Sequence, residues 1–149
     1  MSQEAEDTPH IDDATVQRYW EGRGNDAAAM SMMAHEHNLP PRSAAYRLKV
    51  ENETMRDWLD GVPPSGTVLD VGCGAGSWVE KLAQRYASVV GVERSGQMVE
   101  AAKERVAHLS NAQILKGDVR TDLPEGPFDL IFLGGMCMYL NDADVVALV

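Results

Sequence analysis

Val68-Leu69-Asp70-Val71-Gly72-Cys73-Gly74-Ala75-Gly76 decides the fold of this 149-residue chain. A short, largely aliphatic run of strand type ends in glycines at alternate positions. Ser77 to Tyr86 then continues with Trp78, Val79, Leu82, Ala83 and Tyr86 at helical spacing. A buried strand that turns through glycine into a helix opens a βαβ unit. Glycine lets backbone N–H groups approach a ligand closely, and the following helix N-terminus adds partial positive charge suited to a carboxylate or phosphate. Three alternate glycines exceed what a tight turn needs, so the segment reads as a binding loop.

Downstream the same grammar repeats. Val89 to Val92 is a second strand, followed by a helix with the stripe Met98, Val99, Ala102, Val106 and Leu109. Ala112 to Leu115 is a third strand, Phe128 to Leu133 a fourth, and Asp142 opens another helix. Short apolar strands alternating with amphipathic helices imply a parallel sheet. The fold class is therefore α/β, a Rossmann-like parallel sheet with helices on both faces, here carrying four strands and preceded by N-terminal helices.

Upstream, residues 1–13 carry Glu4, Glu6, Asp7, Asp12 and Asp13 without a Lys or Arg and read as a frayed acidic tail. Residues 14–61 read as a helical lid or flank. A short helix from Thr15 to Glu21 presents Val16, Tyr19 and Trp20, and Gly22 and Gly24 break it. Asn25 or Asp26 caps an Ala- and Met-rich helix that Leu39-Pro40-Pro41 stops. Ser43 is expected to cap a long helix to about Asp60, with Ala45, Leu48, Met55, Trp58 and Leu59 on its apolar side. Residues 66–149 form the core.

Composition narrows the function classes. The length has room for one domain, and a hydrophobic share of 44% with 24% charged residues excludes wholesale disorder. Lys and Arg number 13 against 23 Asp and Glu, a net charge of −10 that repels phosphate backbones and anionic lipid. No basic n-region follows Met1 and no apolar run approaches a membrane span. Cys73 and Cys137 are too few for a secreted scaffold. The chain reads as soluble and cytoplasmic, with two reduced thiols.

Two details specify the ligand. The dinucleotide fingerprint G-x-G-x-x-G needs glycine at position 77 and meets Ser77, and Asp70 stands two residues before the first glycine. A nicotinamide cofactor, and with it an NAD-dependent oxidoreductase, is thereby disfavoured. Glu93 closes the second strand about 20 residues after Gly72, where a carboxylate accepts hydrogen bonds from both ribose hydroxyls. The loop is expected to hold a nucleoside-bearing ligand.

On these residues the sequence resembles the class I S-adenosylmethionine-dependent methyltransferases. Asp70 to Gly76 looks like their first motif, Glu93 like the acid that closes the second, Gly117-Asp118-Val119 like the end of the third strand, and Phe128-Asp129-Leu130-Ile131-Phe132 like the fourth. The resemblance implies S-adenosylmethionine as cofactor, with Gly72, Gly74 and Gly76 giving backbone room for its methionine part and Asp70 beside its amino group. It further implies that Glu93 binds the ribose, Asp118 the adenine amine and the Val119 N–H a ring nitrogen. Met98 packs on the adenine, and Leu133 and Gly134 line the methionine side. Cys73 and Arg94, adjacent to these in sequence, are expected at the same surface. No catalytic residue is assigned. His35, His37 and Tyr139 are the candidates should a general base be required.

Other features have plainer readings. His35 and His37 stand i and i+2 on a helix and face apart, which removes the metal reading. Trp20, Trp58 and Trp78 are expected in the core. Gly134-Gly135-Met136-Cys137-Met138 lacks the Pro-Pro-aromatic signature of enzymes that methylate nucleic-acid amines. With the acidic charge this favours a small-molecule acceptor over nucleic acid. The resemblance also implies a seven-stranded sheet ordered 3-2-1-4-5-7-6, so a chain ending at Val149 reads as truncated after strand four. Strand four would then be an exposed edge prone to self-association. A catalytically silent module that holds the cofactor and acts through a partner is the alternative reading.

Overall fold

The structure is a computed structural model that describes residues 10–21 and 40–149. Four strands, β1 Thr67–Val71, β2 Ser88–Glu93, β3 Ala112–Lys116 and β4 Leu130–Phe132, form one sheet in the order β3-β2-β1-β4. All three pairings are parallel: Val68 lies opposite Val89 and Leu130, and Val89 opposite Ala112. β4 is shorter than the expected Phe128 to Leu133. Pro127 precedes it, and Asp129 is spent closing the sheet's lower end, its carboxylate accepting from the Thr67 N–H at 2.7 Å. The positive-φ Gly135 then turns the chain away from the ladder.

The strands alternate between two apolar layers because successive side chains leave opposite faces. Val68, Val89, Ile114 and Phe132 join Val79, Leu82 and Ala83 of α4 (Ser77–Ala83) and Val99, Ala102 and Val106 of α5 (Gly96–Val106). Leu69, Val71 and Val92 face the other way, toward Leu123, Phe128, Leu133 and Leu148, the last on α6 (Asp142–Leu148). Burial on both faces explains the near-continuous Val and Leu content of the central strands. Among the described residues β4 forms a free edge, with Ile131 55% exposed.

The N-terminal elements depart from expectation in three places. Residues 1–9 lie outside the described part, but Asp12 and Asp13 are not tail. The Asp12 carboxylate accepts from the Thr15 N–H and hydroxyl at the start of α1 (Asp13–Glu21), and the Asn141 side chain exchanges two hydrogen bonds with the Ile11 backbone. The helix expected from Ser43 to Asp60 is two helices, α2 (Pro41–Thr54) and α3 (Arg56–Asp60), with Pro40 rather than Ser43 as N-cap. Pro41 then occupies the first helical position, where proline's preset φ fits and its missing N–H has no intrahelical partner to lose. The break at Met55 re-aims α3: Leu59 is buried, Tyr86 donates its hydroxyl to the Leu59 carbonyl at 2.6 Å, and Trp58 is left 79% exposed. Trp58 is therefore not core. Likewise Ala44, not Ala45, is the buried alanine. Trp58→Ala is expected to shift unfolding stability by less than about 0.5 kcal/mol in urea titration. The expected Ala- and Met-rich helix, with His35 and His37, lies outside the described residues.

Candidate functional site

The carboxyl ends of the strands converge on one cavity of about 240 Å³, walled by the β1–α4 loop, the β2–α5 turn, the segment after β3, the segment after β4, and α1. Open parallel sheets bind ligands at this end, where loops from adjacent strands diverge. The β1–α4 loop takes its shape from three positive-φ glycines and from Val92, whose carbonyl accepts the Gly72 and Cys73 N–H groups at 2.9 and 3.0 Å.

The three glycines do different work. Gly74 faces open space, with nothing within 4 Å of where a Cβ would stand. Gly72 lines the cavity, but a Cβ there would collide with the Met136 side chain. Gly76 would press on Ala102 of α5 and is not part of the cavity wall. The expected shared ligand role is therefore corrected: Gly76 lets α4 and α5 pack closely. Leu133 is also off the wall, packed with Leu69 and Val71 beneath the sheet, while its neighbour Gly134 is on it. Both residues lie past the end of β4, and a side chain that packs into the apolar layer at Leu69 and Val71 cannot also face the opening.

Glu93 is the organising acid. One carboxylate oxygen accepts from the Gly74 N–H at 3.0 Å and the other from the Ser95 N–H at 2.8 Å, so it ties the glycine loop to the N-terminus of α5. Burial raises its pKa against those hydrogen bonds. Asp70 lies behind the cavity wall, 2% exposed, with Oδ2 lacking a hydrogen-bond partner. Burial, and then repulsion from Glu93, push it up to about 7. The Cys73 thiol, buried at the wall, is raised well above its ordinary range by burial first and then by Asp70 and Glu93, which makes it a poor nucleophile.

Asp118 lies at the other end of the cavity. Arg120 donates Nε to Oδ1 at 2.9 Å and Nη2 to Oδ2 at 2.6 Å, and Arg94 Nη1 reaches Oδ2 at 3.3 Å. The Arg120 hydrogen bond is the main reason that the Asp118 carboxyl lies far below its usual range. Val119 and Met98 line the same end, and Met98 is 2% exposed. Cavity residues that the sequence reading did not assign to the site include Asp13, Gln17 and Trp20 of α1, Ser77, Ser95 and Arg120. Trp20 stacks edge-to-face on Tyr139 with ring centroids 5.6 Å apart. No local spacing announces Asp13, Gln17 and Trp20, since α1 meets the sheet only in three dimensions, whereas Ser77, Ser95 and Arg120 stand within two residues of Gly76, Glu93 and Asp118 and are within reach of the motif reading.

The donor set fits an amino-acid-bearing nucleoside. A buried carboxylate with an orphaned oxygen suits an ammonium, the open backbone at Gly74 admits a close approach, and Glu93 and Asp118 are spaced along one cavity. A family model described as "Methyltransferase domain" matches residues 68–149, more than half of the chain. The chain belongs to the class I S-adenosylmethionine-dependent methyltransferases. The chain is 36% identical over 91 residues to a trans-aconitate 2-methyltransferase of Azoarcus sp. strain BH72, covering 58% of this chain and 35% of that protein. It is 34% identical over 101 residues to a tRNA/tmRNA (uracil-C(5))-methyltransferase of Wolinella succinogenes, covering 55% and 27%. A solved SAM-dependent methyltransferase from Leishmania major superposes with a TM-score of 0.69 at 25% identity, over 91% of this chain and 53% of that one. The chain thus spans about a third of the length of these curated relatives. Among the described residues no helix is long and apolar enough to cross a membrane.

Proposed function

We propose that this methyltransferase holds S-adenosylmethionine along the cavity and transfers its methyl group to a small-molecule acceptor admitted beneath α1. The observation that carries the reading is the placement of Glu93, whose carboxylate faces the cavity while bound to the Gly74 and Ser95 N–H groups. Its remaining lone pairs are available to ribose hydroxyls, Asp118 and Val119 stand at the adenine end, and Asp70, buried behind the wall with one oxygen unpartnered, attracts the amino group from there. Gly134 and Met136 then mark the reacting end, where Trp20, Trp78 and Tyr139 add an apolar, aromatic wall.

When bound, S-adenosylmethionine supplies an electrophilic methyl whose S–C bond breaks as the acceptor's lone pair forms the new bond, leaving the electron pair on sulfur. Residues of this chain align the acceptor with that carbon and exclude water, which supplies most of what an in-line displacement needs. The aromatic wall does both. Of the three candidates for a general base, Tyr139 lines the cavity, while His35 and His37 lie outside the described residues. The net charge of −10 favours a small acceptor over an RNA strand, although RNA-modifying enzymes are among the relatives. In this reading α1 forms the flank that covers the acceptor, and the enzyme is cytoplasmic, consistent with the free thiols Cys73 and Cys137.

The expected result is S-adenosylhomocysteine production from S-adenosylmethionine with a panel of carboxylate, amine and phenol acceptors, and none with RNA. Tight S-adenosylhomocysteine binding without turnover on any acceptor would replace the enzyme reading with that of a cofactor-holding module. Turnover on RNA alone would replace the acceptor class.

A further inference from the structure

Asp13 stands on α1, at the cavity wall but apart from the strand-end loops that carry the other acids, and it reaches both arginines that hold Asp118. Arg94 Nη1 donates to the two Asp13 oxygens at 2.9 Å each, and Arg120 Nη2 reaches Asp13 Oδ2 at 3.2 Å. Two carboxylates and two guanidiniums thus close a neutral ring at the edge of the cavity, with the Arg94, Asp118 and Arg120 side chains about three-quarters buried.

The hydrogen bonds within the ring are unequal. Asp118 Oδ1 accepts both the Arg120 Nε–H at 2.9 Å and the Arg120 backbone N–H at 3.0 Å, so its lone pairs are used. Oδ2 takes one short bond from Arg120 Nη2 and only the long 3.3 Å contact from Arg94. That contact is long because Arg94 is drawn to Asp13. A carboxylate oxygen has two acceptor positions, and the weakly held one on Oδ2 is the place where Asp118 can receive a further donor.

We infer that Asp13 is a positioning residue for adenine recognition: by drawing Arg94 to itself it leaves the Arg94 contact to Asp118 Oδ2 long enough for the exocyclic amine to displace. The inference rests on the cofactor reading above. Without Asp13, Arg94 is free to close on Oδ2 and compete with the amine. Asp13 is not the sole anchor of α1, since Ser95 donates its hydroxyl to the Trp20 carbonyl at 3.1 Å and Asn141 is bonded to the Ile11 backbone. Removing its carboxylate therefore alters the ring while other attachments of the helix remain.

The test compares S-adenosylhomocysteine with its inosine analogue, whose ring carries oxygen in place of the amine, by titration calorimetry on the full chain. Wild type is expected to prefer the adenosine form. Asp13→Ala and the isosteric Asp13→Asn should each lose that preference by about fivefold, the scale of one net hydrogen bond, with unliganded melting curves verifying the fold. Asp13→Ala combined with Arg94→Ala removes the competitor and should restore the preference. A preference unchanged in both single variants would overturn the inference. So would a loss that the double variant fails to restore, because Asp13 would then act only by docking α1. Wild type that binds both ligands equally removes Asp118 as the base reader and the inference with it. Wild type that binds neither sinks the cofactor reading itself.

Discussion

Asp70→Asn is expected to stabilise the unliganded protein by about 1 to 3 kcal/mol at pH 8 and to abolish most of its stability change between pH 4 and 7. In the fold the Asp70 carboxyl is pushed from its ordinary 3.8 to about 7, first by burial and then by Glu93. An acid whose pKa rises on folding binds more protons in the native state than in the unfolded one across that interval, so stability falls as pH rises through it. The cost is absent below pH 4, grows to about pH 7 and is constant above, on the order of 4 kcal/mol in full. Asparagine removes the charge but leaves its own buried amide donors to satisfy, which offsets part of the gain. Urea unfolding at pH 5 and pH 8 measures both quantities, and equal pH slopes for wild type and variant would show that Asp70 is not the titrating group. Ligand affinity should move the opposite way. An ammonium beside Asp70 favours the ionised form, so S-adenosylhomocysteine should bind more weakly to Asp70→Asn, and wild-type affinity should rise as pH increases from 6 toward 8.

Glu93→Ala is expected to weaken S-adenosylhomocysteine binding by about 1 to 3 kcal/mol, the scale of hydrogen bonds to a charged group. The loss has two sources. The ribose hydroxyls lose their acceptor, and the Gly74 and Ser95 N–H groups lose the carboxylate that holds the glycine loop against α5. Glu93→Gln is not conservative here. A carboxylate accepts at both ends, whereas an amide must turn its NH2 toward one of the two N–H donors. The glutamine variant should therefore bind more weakly than wild type, though the side chain keeps its length. Calorimetry decides the point: an unchanged dissociation constant for both variants would remove Glu93 from the ribose site.

Much of this protein is legible before folding. Strand and helix identities from Val68 to Val106 follow from local periodicity, and the order of motifs places Glu93 and Asp118 at strand ends facing one cavity, because a parallel βαβ sheet leaves each strand's carboxyl end on the same side. The helix after β2 is expected on the stripe Met98, Val99, Ala102, Val106 and Leu109; the first four are its buried residues, and Leu109 lies past its end, partly buried against the same core. Local spacing fails where a residue's role depends on what it meets. Trp58 fits an unbroken apolar stripe, yet a helix break at Met55 turns it to solvent.

What the sequence by itself determined is the βαβ succession, the glycine loop and the acids at its strand ends, since these depend on period, turn chemistry and backbone freedom within a few residues. Only the tertiary structure decided how the three glycines divide their roles between cavity and helix packing. It alone also placed Leu133 below the sheet and Asp13, 81 residues before Arg94, beside that arginine. Those outcomes are contacts between segments distant in the chain. Their free energy comes from shared burial and paired charge, neither of which exists until the segments meet.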